Sequence, residues 1–151
     1  ERGKLAFDQG QYAKSVVHFQ KALQLDPSNS ATLKYLAGAQ FRSKDYQAAA
    51  GTYGRAVQAD PDDLSTRQYH GMALFESGQL NPAETAFRDV QKRGTETALS
   101  YYYLARVAQA RGKTADAIVM CEKALQIDPK YETAQALLGS LKAGKAQPAP
   151  H

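Results

Sequence analysis

Apolar positions in this chain return at steps of three and four, and the whole pattern returns every 34 residues. Asp26-Pro27, Asp60-Pro61 and Asp128-Pro129 are separated by 34 and then 68 residues, and the missing member, Gly94-Thr95, is still a helix breaker. In that frame Gly10, Lys44, Gly78 and Gly112 form one column, and Ser15, Ala49, Ala83 and Ala117 a second. Phe19, Tyr53, Phe87 and Cys121 form a third, followed by Ala22, Ala56, Val90 and Ala124. Gly3, Ala37, Gly71, Ala105 and Gly139 supply a small residue in every unit.

Each unit predicts two helices. Asn29 is placed to cap a helix over residues 30–42, and Asp45 another over 46–58. Asn81-Pro82-Ala83-Glu84 reads as a capping-box start with proline at the first helical position. Lys44 and the glycines of its column mark the turn inside each pair, where a positive φ is cheap for glycine. The Asp-Pro pairs end the second helix, because the residue before proline avoids the helical region. Small side chains in the columns of residues 3 and 15 let paired helices approach, and the large ones in the column of residue 19 fill the space between units. No single unit can bury its apolar face alone, so the stack is the expected folding unit.

This pattern resembles the tetratricopeptide repeat, a 34-residue helix–turn–helix. Leu33, Leu36, Ala37, Tyr46, Ala49, Tyr53, Ala56 and Pro61 match its signature in the second unit; Tyr101, Leu104, Ala105, Gly112, Ala117, Ala124 and Pro129 match it in the fourth. The third unit is weaker, with Arg67 and His70 at positions that are usually bulky and apolar, and Thr95 in place of proline. The resemblance implies an all-α, right-handed α-solenoid: a partial repeat over 1–29, repeats over 30–63, 64–97 and 98–131, and a capping helix over 131–143. Residues 144–151, with Pro148 and Pro150, read as a flexible tail. The chain opens on Glu1-Arg2-Gly3 and reads as an excised fragment, bacterial in character from its Ala- and Gln-rich repeats.

Composition narrows the chemistry. The chain has 151 residues, 26 of them alanine, which suits helices packed through small side chains. No stretch approaches the roughly 18 apolar residues of a membrane span, and no membrane insertion is expected. The compartment stays open between cytoplasm and periplasm. A single cysteine, Cys121, excludes an internal disulfide and every multi-cysteine metal site. The net charge of +4 is dispersed, with no run of more than two basic residues, so nucleic acid is a disfavoured partner. No metalloprotease, Walker or dinucleotide motif is present, and His18 and His70 are isolated. Cys121 lies in the aromatic core column and His70 in a leucine column, so both read as packing residues. Asp60, Asp62 and Asp63 read as a helix stop and caps rather than a metal cluster. No catalytic residue, cofactor, metal or small-molecule substrate is expected.

In the family the first helices of successive repeats line a concave groove. Helical spacing puts Ala31, Lys34, Tyr35, Gly38, Phe41 and Arg42 on one face of helix 30–42. Two ladders follow at 34-residue spacing, Tyr35, Tyr69 and Tyr103, and Phe7, Phe41 and Phe75. For the phenylalanines, core packing and ligand contact stand level; for the tyrosines, groove exposure is favoured, because the hydroxyl needs a partner or water. Gly38, next to Met72, costs about 1 kcal/mol inside a helix relative to alanine. It is expected to open a pocket for one apolar side chain, walled by Tyr35, Phe41, Tyr69, Met72 and Phe75. Asp8, Arg42 and Glu76 form a column of alternating sign, read as an ion ladder that neutralises Arg42. Lys4, Lys34 and Arg106 remain for acidic groups of a partner, and Tyr102 accompanies Tyr103 in the groove set.

The two-carboxylate clamp of the chaperone-tail binders in this family is not matched. Lys4, Tyr35, Ser65 and Tyr69 stand at its positions where asparagine, asparagine, lysine and arginine are usual. The resemblance therefore implies a non-clamp scaffold that takes another protein or a peptide in its groove. The alternatives are a structural spacer or self-assembly element of a larger complex and, with less support, RNA binding.

Overall fold

A computed structural model describes residues 1–146, which form nine α-helices and no strand. They are α1 (Arg2–Asp8), α2 (Tyr12–Leu25), α3 (Ser30–Arg42), α4 (Tyr46–Ala59), α5 (Leu64–Glu76), α6 (Leu80–Lys92), α7 (Ala98–Ala110), α8 (Thr114–Ile127) and α9 (Glu132–Ala146). Starts recur in strict register: α2, α4, α6 and α8 at 12, 46, 80 and 114, and α3, α5, α7 and α9 at 30, 64, 98 and 132. The fold is thus all-α and built of helical repeats, as the 34-residue pattern predicts. Two compact units are distinguished, Glu1–Ala86 and Phe87 onward, the boundary falling inside α6.

The turn column does what its glycines imply. Gly10, Lys44, Gly78 and Gly112 all have φ between 63° and 84°. At each, two backbone bonds close the helix end: Gly10 N–H donates to Phe7 O at 2.9 Å and Gln11 N–H to Ala6 O at 2.8 Å, and the same pair recurs at Lys44-Asp45, Gly78-Gln79 and Gly112-Lys113. This is the Schellman arrangement, which satisfies carbonyls a helix end would leave unpaired. Asp26, Asp60 and Asp128 are the C-caps of α2, α4 and α8, held out of the helical region before their prolines, with ψ between 84° and 97°. α6, which lacks Asp-Pro, ends instead on a fifth Schellman turn at Gly94, φ 84°.

Side-chain caps fix the starts of α3, α4, α5 and α7. Asn29 accepts from Thr32 N–H at 2.9 Å and Asp45 from Ala48 N–H at 3.2 Å, as expected. Thr97 and Ser100 form a reciprocal capping box at α7. The start expected at Asn81 is corrected: α6 begins at Leu80, and Ala83 N–H donates to Gln79 O at 3.1 Å. The Gly78 turn feeds the chain straight into the helix, and Pro82 falls in the first turn, where its missing N–H leaves no bond unmade.

In the first unit Ser15, Ala49 and Ala83 are fully buried, and Ser15 Oγ donates to Gly3 O at 3.0 Å, tying α2 to α1. One cluster joins Phe19, Leu23, Leu33, Leu36 and Ala56; another joins Ala37, Ala49, Ala50, Tyr53, Ala73, Leu74, Ala83 and Ala86. In the second unit Ala105, Ala117, Cys121 and Leu141 form one cluster, and Ala98, Tyr101, Ala124 and Ala134 another. Two column members differ from expectation. Ala22 on α2 is exposed, and Gly139 on α9 is exposed with nothing against it. The expected tail begins inside α9, which runs to Ala146; residues 147–151 lie outside the described residues.

Candidate functional site

The columns of residues 19 and 35 meet across units. Phe19 stacks on Tyr35 at 5.4 Å, Tyr53 on Tyr69 at 5.9 Å and Phe87 on Tyr103 at 5.3 Å, each pair 16 residues apart and within 20° of parallel. The tyrosine ladder is therefore a set of rings laid on the outer helix of the preceding pair. Phe7 meets Tyr35 edge-on at 6.1 Å, and Phe41 meets Tyr46 edge-on at 5.1 Å.

Between these rings, in the first unit, lies an open cleft of about 910 Å³. Its lining brings together seven of the expected residues: Phe7, Lys34, Tyr35, Gly38, Phe41, Tyr69 and Met72. Gly38 opens it. The 34-residue column through Gly38 reads Lys4, Gly38, Met72 and Arg106, and at Gly38 alone there is no side chain. A Cβ there would meet Phe7 at 3.5 Å and the Tyr53 hydroxyl at 3.7 Å, which is ordinary contact. Lys4 stands outside the lining, its Nζ 5.0 Å from the centre of the Tyr35 ring as a cation–π partner.

Several expectations are corrected. Phe75 packs against the core cluster of Ala73 and Leu74 rather than walling the cleft. Of the tyrosines, Tyr69 is 50% exposed but Tyr103 only 7%, because Phe87 lies along one face and the Arg106 guanidinium covers the ring at 5.3 Å. Tyr102, Tyr103 and Arg106 cluster in the second unit, where Tyr102 also meets Tyr131 edge-on at 5.7 Å.

The charges exchange roles. Lys34 was expected to face a partner, but its Nζ lies 2.8 Å from Asp63. Asp63 is fixed already: Oδ1 accepts the Thr66 N–H at 3.0 Å and Oδ2 the Thr66 hydroxyl at 2.8 Å, capping α5. Pairing with a held carboxylate orders only one flexible side chain. The Lys34 hydrogen bond, with help from Thr66, lowers the Asp63 carboxyl to about 2, and the same bond raises Lys34. Among the described residues Arg42 enters no ion pair with Asp8 or Glu76, and it lines the cleft. An exposed ladder is worth only about 0–1 kcal/mol per pair, too little to hold it.

Sequence reasoning passed over Tyr53 as a site residue. Its ring is core, but its hydroxyl reaches the cleft, and burial pushes the phenol up to about 12. The signal was there in Gly38, whose missing side chain uncovers the hydroxyl from the facing helix. Asp63, Ser65 and Thr66, at the start of α5, complete the lining with Ala31 and Arg42. His70 packs toward Gly54, whose Cβ would sit 3.4 Å from its Nε2, and burial lowers its pKa. Cys121 is fully buried, its thiol pushed up to about 11 by that burial.

Family models described as tetratricopeptide repeat match residues 6–68 and 98–131. Among solved structures, that of MamA is matched at 24% identity with a TM-score of 0.86, over 96% of this chain and 85% of that one. YrrB, described as a TPR protein with an unusual peptide-binding site, is matched at 23% identity and a TM-score of 0.83, over 89% of this chain and 69% of that one. The pilF protein of Pseudomonas aeruginosa is matched at 20% identity and a TM-score of 0.80, over 95% of this chain and 65% of that one. At these identities the likeness is one of fold. No curated protein matches the chain significantly by sequence.

Proposed function

The chain belongs to the tetratricopeptide-repeat family, whose fold serves in general as a non-enzymatic scaffold for protein interactions, and on that premise we propose that its first unit takes an extended partner peptide in the cleft over Gly38. The observation that carries this reading is the cleft itself: about 910 Å³, open, and walled by Phe7, Tyr35, Phe41, Tyr69 and Met72. Aromatic walls supply apolar contact at small entropic cost, and hydroxyls at their tips bond a peptide backbone. α3, with 13 residues, is about 20 Å long, the reach of roughly six extended residues. An unassisted groove of that length binds in the micromolar range, once ordering costs are met. The peptide-binding site described for YrrB lends support by analogy of fold.

Gly38→Leu is the test. Its Cβ finds ordinary contacts, and leucine is the better helix former by up to about 1 kcal/mol. The variant should melt as cooperatively as the parent while peptides selected on the parent from a displayed random library lose binding. Retained binding sinks the cleft as the site.

A second reading, self-association, rests on the exposure of Leu5, Val17 and Leu25 on α1 and α2. Light scattering separates the two, since a mass that grows with concentration favours self-association.

A further inference from the structure

The cleft is not uniformly apolar, and its polar groups restrict what can fill it. Three charged side chains line it, Lys34, Asp63 and Arg42. The first two are neutralised by each other across 2.8 Å. That leaves the Arg42 guanidinium, on the exposed final residue of α3, as the cation offered to a ligand. Tyr53 adds a donor. The side chain is 93% buried, from an exposure of 7%, yet its hydroxyl lies 3.7 Å from the position of a Gly38 Cβ, and among the described residues it makes no hydrogen bond. An apolar group covering that hydroxyl would bury it unpaired, at the cost of a lost hydrogen bond, unless the ligand brings an acceptor. With the phenol held protonated by burial, the hydroxyl donates.

Spacing turns these groups into a code. Gly38 and Arg42 are one helical turn apart on α3, about 6 Å along its axis. Alternate side chains on the same face of an extended peptide are separated by about 6.6–6.8 Å. Lys34 lies the same distance on the other side of Gly38, but its charge is already matched by Asp63, so the two directions are not equivalent.

Resting on the peptide-groove reading, we infer that the cleft selects an apolar-x-acidic segment. The apolar side chain sits over Gly38, its residue's carbonyl accepts from the Tyr53 hydroxyl, and an aspartate or glutamate two positions away meets the Arg42 guanidinium. Charge complementarity fixes the sign of that residue, and the planar, two-pronged guanidinium favours a carboxylate over a neutral acceptor.

The test uses the full chain and a displayed random heptapeptide library, with binders counted only if Gly38→Leu abolishes them. The expected binders carry Asp or Glu two residues from an apolar side chain. A resynthesised, fluorescently labelled binder should lose at least about tenfold in affinity when its acid is changed to the amide. Arg42→Gln should lose a similar factor for the acidic peptide and leave the amide peptide unchanged, and Arg42→Lys should fall between. Cleft-dependent binders without an acidic preference, or an acid-to-amide change that Arg42→Gln does not absorb, overturn the code and leave the groove reading standing. Binders indifferent to Gly38→Leu overturn the groove reading and the code together.

Discussion

Lys44 holds a φ of 63° at the turn where the other three units place glycine. A side chain in the left-handed region costs roughly 1–2 kcal/mol, and nothing at this turn needs one. Its N–H already makes the same 2.9 Å bond to Phe41 O that Gly10 and Gly78 make in their units. Lys44→Gly should therefore stabilise the chain by about 0.5–1 kcal/mol, after the added freedom of glycine in the unfolded state is set against the relief of strain. In thermal denaturation the midpoint should rise by about 1–4 °C. A fall would mean that the lysine side chain makes a stabilising contact. At this scale the sequence is most legible where a residue acts on its own backbone. The turn column, the caps at Asn29 and Asp45 and the hollow at Gly38 were all readable from one residue and its neighbours. What was not readable depends on a second helix. Whether the Tyr53 hydroxyl reaches the cleft is set by what faces it on α3. Whether Lys34 or Arg42 is matched depends on where the loop before α5 puts Asp63.

Helices here are placed by their ends. Starts repeat at 34 residues even where the amino acids do not, because each end is fixed by a small, transferable device. α6 shows the substitution of one device for another, Gly94 ending it where aspartate and proline end α2, α4 and α8. α5 depends most on one residue, since Asp63 caps it and also binds Lys34 of α3. Asp63→Ala should cost about 1–2 kcal/mol, chiefly the lost cap, whereas Asp63→Asn keeps the oxygen that caps α5 and loses the carboxylate oxygen that binds Lys34 and accepts the Thr66 hydroxyl. The pH dependence follows from the direction of the shift. The folded carboxyl is lowered from an ordinary 3.8 to about 2, so its contribution is present above pH 4 and disappears as the pH falls toward 2. In urea titrations, the gap between the parent and Asp63→Asn should be constant near neutrality and close between about pH 4 and 2. A gap that persists at pH 2 would assign the stabilisation to something other than this charge. The pairing could not be read beforehand because Lys34 and Asp63 are 29 residues apart and outside the 34-residue register.

Across the molecule, the 34-residue frame predicted the architecture because repeat folds reuse one contact set, and the stacking of residue n on residue n+16 shows that set directly. At the fourth position of the same register stand Cys121, buried in a cluster with Leu141 of α9, and Leu137, packed against that cluster, so aromatic rings give way to a thiol and an aliphatic chain. That departure makes Cys121 a reporter on how the repeats open. The thiol is fully buried and its ionisation is suppressed by burial, so reaction with a disulfide reagent requires local or global opening. Repeats stabilise one another mainly as neighbours, and the α8–α9 pair should therefore open at lower denaturant than the helices as a whole lose structure. In the parent chain, labelling of Cys121 should be at least about a hundredfold slower than in the unfolded chain, and should accelerate before the loss of helical circular dichroism. Leu141→Ala, which removes a buried side chain from the cluster around the thiol, should cost about 2–3 kcal/mol. It should also speed labelling at least tenfold in native buffer, while the peptide binding proposed for residues 1–86 should be unchanged. Labelling that tracks the global transition in both proteins would show instead that the helices open only together, and the nearest-neighbour picture would fail for this chain.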